Sequence, residues 1–298
     1  MPGSPLRGSP HSRALYANQL LGQTLIYQRR RLERIGIKTI SILGSGWLGL
    51  PLAEKFILAG HNVKASTTSE NRLSVLSSLR IEPFIFDIGQ PSSNVHNFLQ
   101  ANILIVNIPS KDIDGFSKLI KKIECSEIGR ILFVSSTSVY ENKNKILSES
   151  EVEESTPNTL LVLESLFMNS NKFKTTIVRF GGLIGYSRHP GRFFNSNKIV
   201  SNPDSKVNLI HRDDCINIIE QIVAQEIWGE VFNCCADTHP TKREFYTQAA
   251  KQLGVPAPNF QKAGDSSFKI ISNQKIKRML NYEFLHPDLM EIKFEAST

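Results

Sequence analysis

From residue 39 onward, short runs of β-forming residues alternate with helical segments, and few folds are compatible with this alternation. The predicted strands lie at 39–43, 62–66, 83–86, 103–107, 131–134 and 176–179. Helical segments occur between most of them: one ends near residue 59, and the others lie at 72–79, 116–123 and 160–168. Because parallel neighbours in a sheet need a crossover connection, usually a helix, we predict an α/β fold with a doubly wound parallel sheet covered on both faces.

A glycine-rich turn joins the first predicted strand to the first helix. Residues 44–49 read Gly-Ser-Gly-Trp-Leu-Gly, a GxGxxG pattern that places Trp47 and Leu48 in the turn. Gly44 permits a tight turn, Gly46 lets the backbone approach a pyrophosphate, and Gly49 lets the helix pack on the strand. The helix amino terminus then offers N–H groups to phosphates. The pattern predicts a Rossmann-type domain that binds NAD or NADP; the alternative is a glycine-rich packing turn.

The end of the second strand bears on the choice between the two cofactors. An acidic residue there binds the ribose 2′-hydroxyl of NAD. Here the strand ends at Ser66 and Thr67, whose hydroxyls could hold a 2′-phosphate, with Lys64 and Arg72 nearby. This favours NADP, although Glu70 could supply the carboxylate that NAD requires.

After Gly181 the pattern changes to longer loops and mostly helical segments, at 213–225, 241–253 and 273–280. We predict a smaller, mostly helical lobe that returns one or two strands, such as 231–234, to the sheet. The predicted organisation is a basic leader at 1–38, an NAD(P)-binding Rossmann domain at 39–180, and a substrate lobe at 181–298 packed on the carboxyl edge of the sheet.

The first 38 residues contain seven Lys and Arg residues and a single acidic residue, and so carry most of the net charge of +7. Three interpretations remain open: an organelle transit peptide, a basic tail that contacts an anionic partner, or a disordered leader with one short helix over 14–34. We favour the last, which includes the case of an upstream start codon.

The rest of the chain is close to neutral, which argues against nucleic acid as a partner. No apolar run reaches the ~18 to 20 residues of a membrane span. The four cysteines form no CxxC pair, and two of them, Cys234 and Cys235, are adjacent. We therefore expect reduced core thiols, no metal or redox site and a cytoplasmic protein, with organellar import through the leader as an alternative.

Several segments together make the chain similar to a known family. They are Gly-Ser-Gly-Trp-Leu-Gly-Leu-Pro-Leu-Ala at 44–53, Val-Ser-Ser-Thr-Ser-Val-Tyr at 134–140, Arg-Phe-Gly-Gly-Leu-Ile-Gly at 179–185, Arg-His-Pro-Gly-Arg-Phe at 188–193 and Val-Asn-Leu-Ile-His-Arg-Asp-Asp at 207–214. With these segments in this order, the chain resembles the atypical branch of the extended short-chain dehydrogenase/reductase superfamily. This branch comprises the NAD(P)-dependent epimerase/dehydratase-like proteins. The resemblance covers most of 39–298.

The resemblance implies further cofactor contacts. Asp87 would lie near the adenine, and Ile108 and Pro109 would line the cofactor groove. Ser135 and Ser136 would lie at the end of the fifth strand beside the nicotinamide. Local capping of the strand end is the alternative role for both serines.

The chain departs from the family in its catalytic residues. Active members combine a Ser or Thr with a Tyr-x-x-x-Lys pair, in which the tyrosine transfers a proton. Ser136 occupies the Ser/Thr position, but Thr156 and Leu160 fall where the Tyr and Lys belong, and no Tyr-x-x-x-Lys occurs in the chain. Ser136 and Tyr140 are the remaining catalytic candidates, although the family role of Tyr140 is structural.

A basic loop in the second half suggests the substrate. Arg188, His189 and Arg192 suit an anionic group such as a phosphate or carboxylate. The alternative is a loop fixed by carboxylates such as Asp213 or Asp214. We expect the segment 211–214, His-Arg-Asp-Asp, to cap the following helix, because an aspartate at a helix start satisfies free N–H groups.

Two functions follow. The first is an oxidoreductase or epimerase that acts on a small anionic or sugar-like substrate with NAD(P) and a nonstandard acid. The second is an NAD(P)-binding sensor or scaffold without turnover. The sequence leaves the substrate and the oligomeric state open.

Overall fold

The computed structural model describes residues 36–90, 94–152, 158–194, 199–262 and 267–294. Within these ranges the core is a seven-stranded parallel sheet with the strand order β10-β7-β5-β4-β1-β2-β3. Its strands are β1 (Thr39–Leu43), β2 (Asn62–Thr67), β3 (Glu82–Ile85), β4 (Ile103–Val106), β5 (Arg130–Ser136), β7 (Lys174–Phe180) and β10 (Val231–Cys234). The predicted strands and the parallel, doubly wound sheet are confirmed.

The central strands are apolar throughout because helices cover both of their faces. Every residue of β4 is buried, and β4 pairs in parallel with β1 on one side and β5 on the other. Such unbroken apolar character is expected of a parallel strand between two helical layers.

Eight α-helices accompany the sheet in the described part of the chain. They are α1 (Gly49–Leu58), α2 (Leu73–Ser78), α3 (Val95–Leu99), α4 (Ile113–Glu124), α5 (Thr159–Met168), α6 (Arg212–Ala224), α7 (Lys242–Leu253) and α8 (Gln274–Leu280). The helices predicted after residue 39 are all present, and α3 was not predicted; the short helix predicted over 14–34 lies outside the described residues. Helix α4 starts earlier than its apolar pattern because the side chain of Asp112 accepts a hydrogen bond from the Gly115 N–H and caps its amino terminus.

Two helical layers form around the sheet. Phe56 of α1 packs in one cluster with Ile218 of α6 and Ile276 of α8. On the other face, Phe116 of α4 and Phe167 of α5 pack edge to face, with ring centroids 5.7 Å apart. No helix among the described residues is long and apolar enough to cross a membrane.

Residues after 181 contribute to both the main core and a smaller one. Strand β10 joins the sheet beside β7, as predicted, and α6 packs in the same layer as α1. Two small parallel sheets were not predicted: β6 (Lys145–Leu147) with β11 (Lys269–Ile271), and β8 (Gly182–Ile184) with β9 (Leu209–His211). Helix α7 packs its Phe245 into a separate cluster with Leu209 and Leu289. The predicted leader lies almost entirely outside the described residues.

Candidate functional site

A groove of about 440 Å³ opens at the carboxyl ends of β1 to β4. The strand order reverses beside β1, since β2 and β3 lie on one side and β4 on the other, and ligands of open α/β sheets bind at this point. The groove is lined by seven of the predicted cofactor residues: Gly44, Gly46, Ser66, Thr67, Asp87, Ile108 and Pro109.

Each glycine of the 44–49 turn has a separate physical role. Gly44 has φ +101°, and a Cβ there would lie 2.6 Å from the carbonyl oxygen of Asn107. A Cβ on Gly49 would lie 2.0 Å from the carbonyl oxygen of Gly44, so helix and strand approach closely here. Gly46 is exposed, and a Cβ on it would meet nothing within 4 Å. The turn therefore offers bare backbone to the groove at Gly46.

Hydrogen bonds from the second strand hold this turn in place. The Gly44 N–H donates to Oγ of Ser66 over 3.0 Å, and the Ser45 N–H donates to the Ser66 carbonyl over 2.9 Å. Nη2 of Arg72 donates to the Ser45 carbonyl over 2.7 Å. The turn is thus fixed before any ligand binds.

The turn leads into a helix whose amino terminus has no anionic partner of its own. Leu48 is the N-cap of α1, no side chain caps it, and its first turn contains no acidic residue. The hydroxyl of Ser45 lines the groove, is buried, and has no hydrogen-bond partner among the described residues. An unpartnered buried hydroxyl beside an uncapped helix terminus is the arrangement that a phosphate satisfies.

The end of β2 contributes hydroxyls to the groove, and Arg72 contributes a cation. Ser66, Thr67 and Arg72 line it together. Glu70 is exposed and starts a short 3₁₀ turn. Lys64 does not face this groove, because its Nζ donates to the Asn97 carbonyl over 2.6 Å. Of the two cations noted from the sequence, only Arg72 reaches the groove.

The two serines at the end of β5 have different surroundings. Ser136 is partly exposed, and its Oγ accepts a hydrogen bond from the Ser138 N–H over 3.1 Å. Ser135 is buried and donates to Oε1 of Glu164 over 2.6 Å. Ser135 is not among the residues that line the groove around the glycine turn, and its expected contact with the cofactor stays a prediction.

Tyr140 also lies in a buried polar network. Its hydroxyl accepts a hydrogen bond from Nη1 of Arg179 over 2.7 Å and donates to Oδ1 of Asn233 over 2.8 Å. Burial raises the pKa of Tyr140, which keeps the hydroxyl neutral. The structural role that the resemblance assigned to Tyr140 accounts for these contacts.

The loop after β8 separates the three residues expected to bind an anion. His189 is fully buried, and its Nδ1 accepts a hydrogen bond from the Gly191 N–H over 3.0 Å. Burial and the charge of Arg192 lower the pKa of His189. Arg188 packs against the glycine turn, with its guanidinium carbon 4.4 Å from the centre of the Trp47 ring. His189 therefore lies in the protein interior, and an anion site formed by the three side chains stays a prediction.

The two aspartates at the start of α6 are also engaged within the protein. Asp214 is buried and accepts hydrogen bonds from the Tyr282 hydroxyl and from the N–H groups of Leu285 and His286. The helix is capped by His211, whose Nδ1 accepts from the Asp213 N–H. The segment 211–214 therefore caps the helix as expected, but through the side chain of His211 and not through an aspartate.

One group of possible metal ligands lies beside this cap. His211, Asp213 and His286 bring three potential ligand atoms within 4.8 Å of one another. The Tyr186 hydroxyl contacts both carboxylate oxygens of Asp213, and the cap contact already uses Nδ1 of His211. These contacts within the protein account for the group without a metal ion.

Comparison with known proteins places the chain in a family. No protein-family model matches it. Protein YeeZ of Escherichia coli K12 is 32% identical over 278 residues, which cover 87% of this chain and all of that protein.

Solved structures share the fold at lower sequence identity. A functionally unknown conserved protein from Silicibacter pomeroyi has a TM-score of 0.72 and 17% identity, over 85% of this chain and 95% of that one. A putative NAD-dependent epimerase/dehydratase from Methylobacillus flagellatus has a TM-score of 0.68 and 20% identity, with the same coverage. A UDP-glucuronic acid 4-epimerase from Bacillus cereus, in complex with UDP-glucuronic acid and NAD, has a TM-score of 0.69 and 18% identity, over 85% and 96%. This chain belongs to the family of Protein YeeZ and has the Rossmann-type fold of the extended short-chain dehydrogenases/reductases.

Proposed function

We propose that this protein binds NADP or NAD in the groove at the carboxyl ends of β1 to β4 and acts as an oxidoreductase or epimerase. One observation carries the proposal: bare backbone at Gly46 lies beside the uncapped amino terminus of α1 and the unpartnered hydroxyl of Ser45. The helix terminus and the Ser45 hydroxyl offer hydrogen-bond donors to a pyrophosphate, and Gly46 leaves open space for it.

The groove favours NADP over NAD. Arg72 lies with Ser66 and Thr67 at the end of β2, where a dinucleotide places the 2′ position of its adenosine ribose. A guanidinium and hydroxyls there match a 2′-phosphate, whereas NAD is usually bound by a carboxylate at this position. Glu70, the carboxylate suggested for NAD at this position, is not among the residues that line the groove.

The proposed substrate is a small anionic or sugar-like molecule. The Bacillus cereus neighbour, whose structure contains UDP-glucuronic acid and NAD, supports this class. A bound nicotinamide would supply the hydride acceptor or donor. Ser136, partly exposed at the end of β5, is the candidate to hydrogen-bond the reacting oxygen, and the exposed Arg192 is a candidate for an anionic group of the substrate.

A second function is favoured by the state of Tyr140. Its hydroxyl is occupied by Arg179 and Asn233, and the chain has no Tyr-x-x-x-Lys pair. A protein that binds the dinucleotide without turnover, as a sensor or scaffold, needs the glycine turn but no general acid.

The binding claim can be tested with a pair of matched variants. Gly46→Val fills the space where backbone meets the pyrophosphate. Gly129→Val places the same side chain in equally open space ahead of β5, away from the groove. In calorimetric titrations with NADP⁺ and NAD⁺, we expect Gly46→Val to lose binding and Gly129→Val to keep it. Equal binding by both variants, or no binding by the wild type, would overturn the proposal.

A further inference from the structure

The loop after β8 begins with a tight turn at residues 185–188. Gly185 and Arg188 exchange backbone hydrogen bonds of 3.0 and 3.3 Å, and both Gly185 and Tyr186 have positive φ, +112° and +52°. A Cβ on Gly185 would lie 2.4 Å from Nε2 of His211. The 185–188 turn is therefore fixed against the start of α6.

This turn contacts the glycine turn at residues 44–49. Nε1 of Trp47 donates to Oγ of Ser187 over 3.1 Å, and the Arg188 guanidinium carbon lies 4.4 Å from the centre of the Trp47 ring. Arg212, the first residue of α6, donates to the Trp47 carbonyl, and its guanidinium carbon lies 3.7 Å from the centre of the Tyr186 ring. Two arginines from the second half of the chain thus lie against Trp47.

The two guanidiniums lie on the α1 side of this arrangement, whereas the carboxylate of Asp213 contacts the Tyr186 hydroxyl on the α6 side. Trp47 immediately precedes the N-cap of α1, so both guanidiniums lie beside the positive end of that helix dipole, whose first turn contains no acidic residue. Like charges placed together in this way are unfavourable unless an anion joins them. Nε of Arg212 and Oγ of Ser45 are both buried without a partner among the described residues. These unused donors indicate a ligand with several acceptor oxygens.

We propose that Arg188 binds the pyrophosphate of the dinucleotide, with Arg212 supporting it, so that the cofactor is bound by both halves of the chain. This inference rests on the proposed function and refines it. It moves Arg188 from the substrate site to the cofactor site, because the 185–188 turn holds its guanidinium against the glycine turn. A pyrophosphate supplies negative charge for the two guanidiniums and acceptor oxygens for Nε of Arg212 and the Ser45 hydroxyl.

The inference can be tested by fluorescence titration, because the chain has two tryptophans and one of them is Trp47. In a Trp228→Phe background, Trp47 reports binding directly. Arg188→Ala should weaken the binding of NADP⁺, NAD⁺ and ADP-ribose by roughly 10-fold to 100-fold, the loss of one charge-assisted contact. The binding of 2′-AMP, which has no pyrophosphate, should be unchanged. Arg188→Lys keeps the charge without the planar guanidinium, so its affinity for these ligands should lie between those of the wild type and Arg188→Ala.

A control variant removes a similar arginine elsewhere. Arg243 on α7 also stacks on an aromatic ring, that of Phe260 at 4.9 Å, and pairs with Asp204. Arg243→Ala should bind every ligand as the wild type does. Binding of NADP⁺ and ADP-ribose by Arg188→Ala at wild-type affinity would overturn the inference and leave the proposed function intact. An equal loss of 2′-AMP binding would also overturn it, because the effect would then be a general distortion. If the wild type binds neither dinucleotide, the proposed function itself fails.

Discussion

The carboxylate of Glu164 on α5 lies 2.6 Å from Nη2 of Arg179 on β7, and both side chains are about 5% exposed. Ser135 donates to the same carboxylate, and Arg179 donates to the hydroxyl of Tyr140. A buried ion pair thus links α5, β5 and β7. It also engages the polar atoms of Ser135 and Tyr140, two of the residues for which the sequence suggested contacts with the cofactor or the substrate.

Removing one partner of this ion pair should destabilise the protein strongly. In Glu164→Ala the Arg179 guanidinium remains buried without a counter-charge, which typically costs about 3–5 kcal/mol. We expect a decrease of that size in the free energy of unfolding, measured by urea denaturation. Glu164→Gln keeps the capacity to form hydrogen bonds, so its free energy of unfolding should decrease less than that of Glu164→Ala.

The control for this prediction is an ion pair on the surface. Glu151 pairs with Lys145 over 2.6 Å, and the Lys145 side chain is half exposed. Hydrogen bonds from Lys145 and from the backbone of Ser148 lower the pKa of Glu151 to about 2. Because solvent screens exposed pairs, Glu151→Ala should change the unfolding free energy far less than Glu164→Ala. Similar losses in the two alanine variants would contradict a structural role for the buried pair.

The sequence predicted the features that depend on local pattern. The alternation of strands and helices, and the separate roles of Gly44, Gly46 and Gly49, follow from steric and periodic rules that act within a few residues. The site could not be predicted where its contacts join distant segments. Trp47 meets Ser187, and Ser135 meets Glu164, through tertiary packing that no local pattern encodes. The burial of His189 could not be predicted for the same reason, since a histidine between two arginines gives no sign of it.

Arg72 should determine the preference between the two cofactors. Arg72→Ala should raise the dissociation constant of NADP⁺ by roughly 10-fold, because a charge-assisted contact to the 2′-phosphate is lost. The dissociation constant of NAD⁺, which lacks that phosphate, should change little. Arg278→Ala, an exposed arginine on α8, serves as the calorimetric control. An equal loss of affinity for both cofactors would mean that Arg72 acts only through its hydrogen bond to the Ser45 carbonyl.

The stability of the fold should decrease in mildly acidic solution. Burial, with His286 beside it, lowers the pKa of His211 to about 4, compared with ~6.5 in an unfolded chain. Between these values the unfolded chain binds more protons than the folded one, so the free energy of unfolding falls as the pH drops through this window. Depressed pKa values of the buried His189 and the partly buried His239 act in the same direction.

The contribution of His211 can be isolated by substitution. His211→Asn keeps an acceptor for the Asp213 N–H at the start of α6 but does not titrate. Unfolding free energies measured near pH 7 and near pH 5 should differ less in this variant than in the wild type. An unchanged difference would show that His211 is not the group responsible.

The role of Ser136 decides between the enzyme and the binding protein. If the protein catalyses hydride transfer, the reacting oxygen needs a hydrogen-bond partner beside the nicotinamide, and Ser136 is the partly exposed hydroxyl at the end of β5. Ser136→Ala should then lower kcat by roughly 100-fold while leaving the affinity for NADP⁺ unchanged. Ser138→Ala, which removes an exposed hydroxyl from the same segment, is the matched control and should retain full turnover. Tyr140→Phe should mainly reduce stability, because Arg179 and Asn233 lose a buried partner. Tight dinucleotide binding without turnover across a panel of carbonyl compounds and sugar nucleotides would favour the binding protein, and Ser136 would then act only as the cap of the turn after β5.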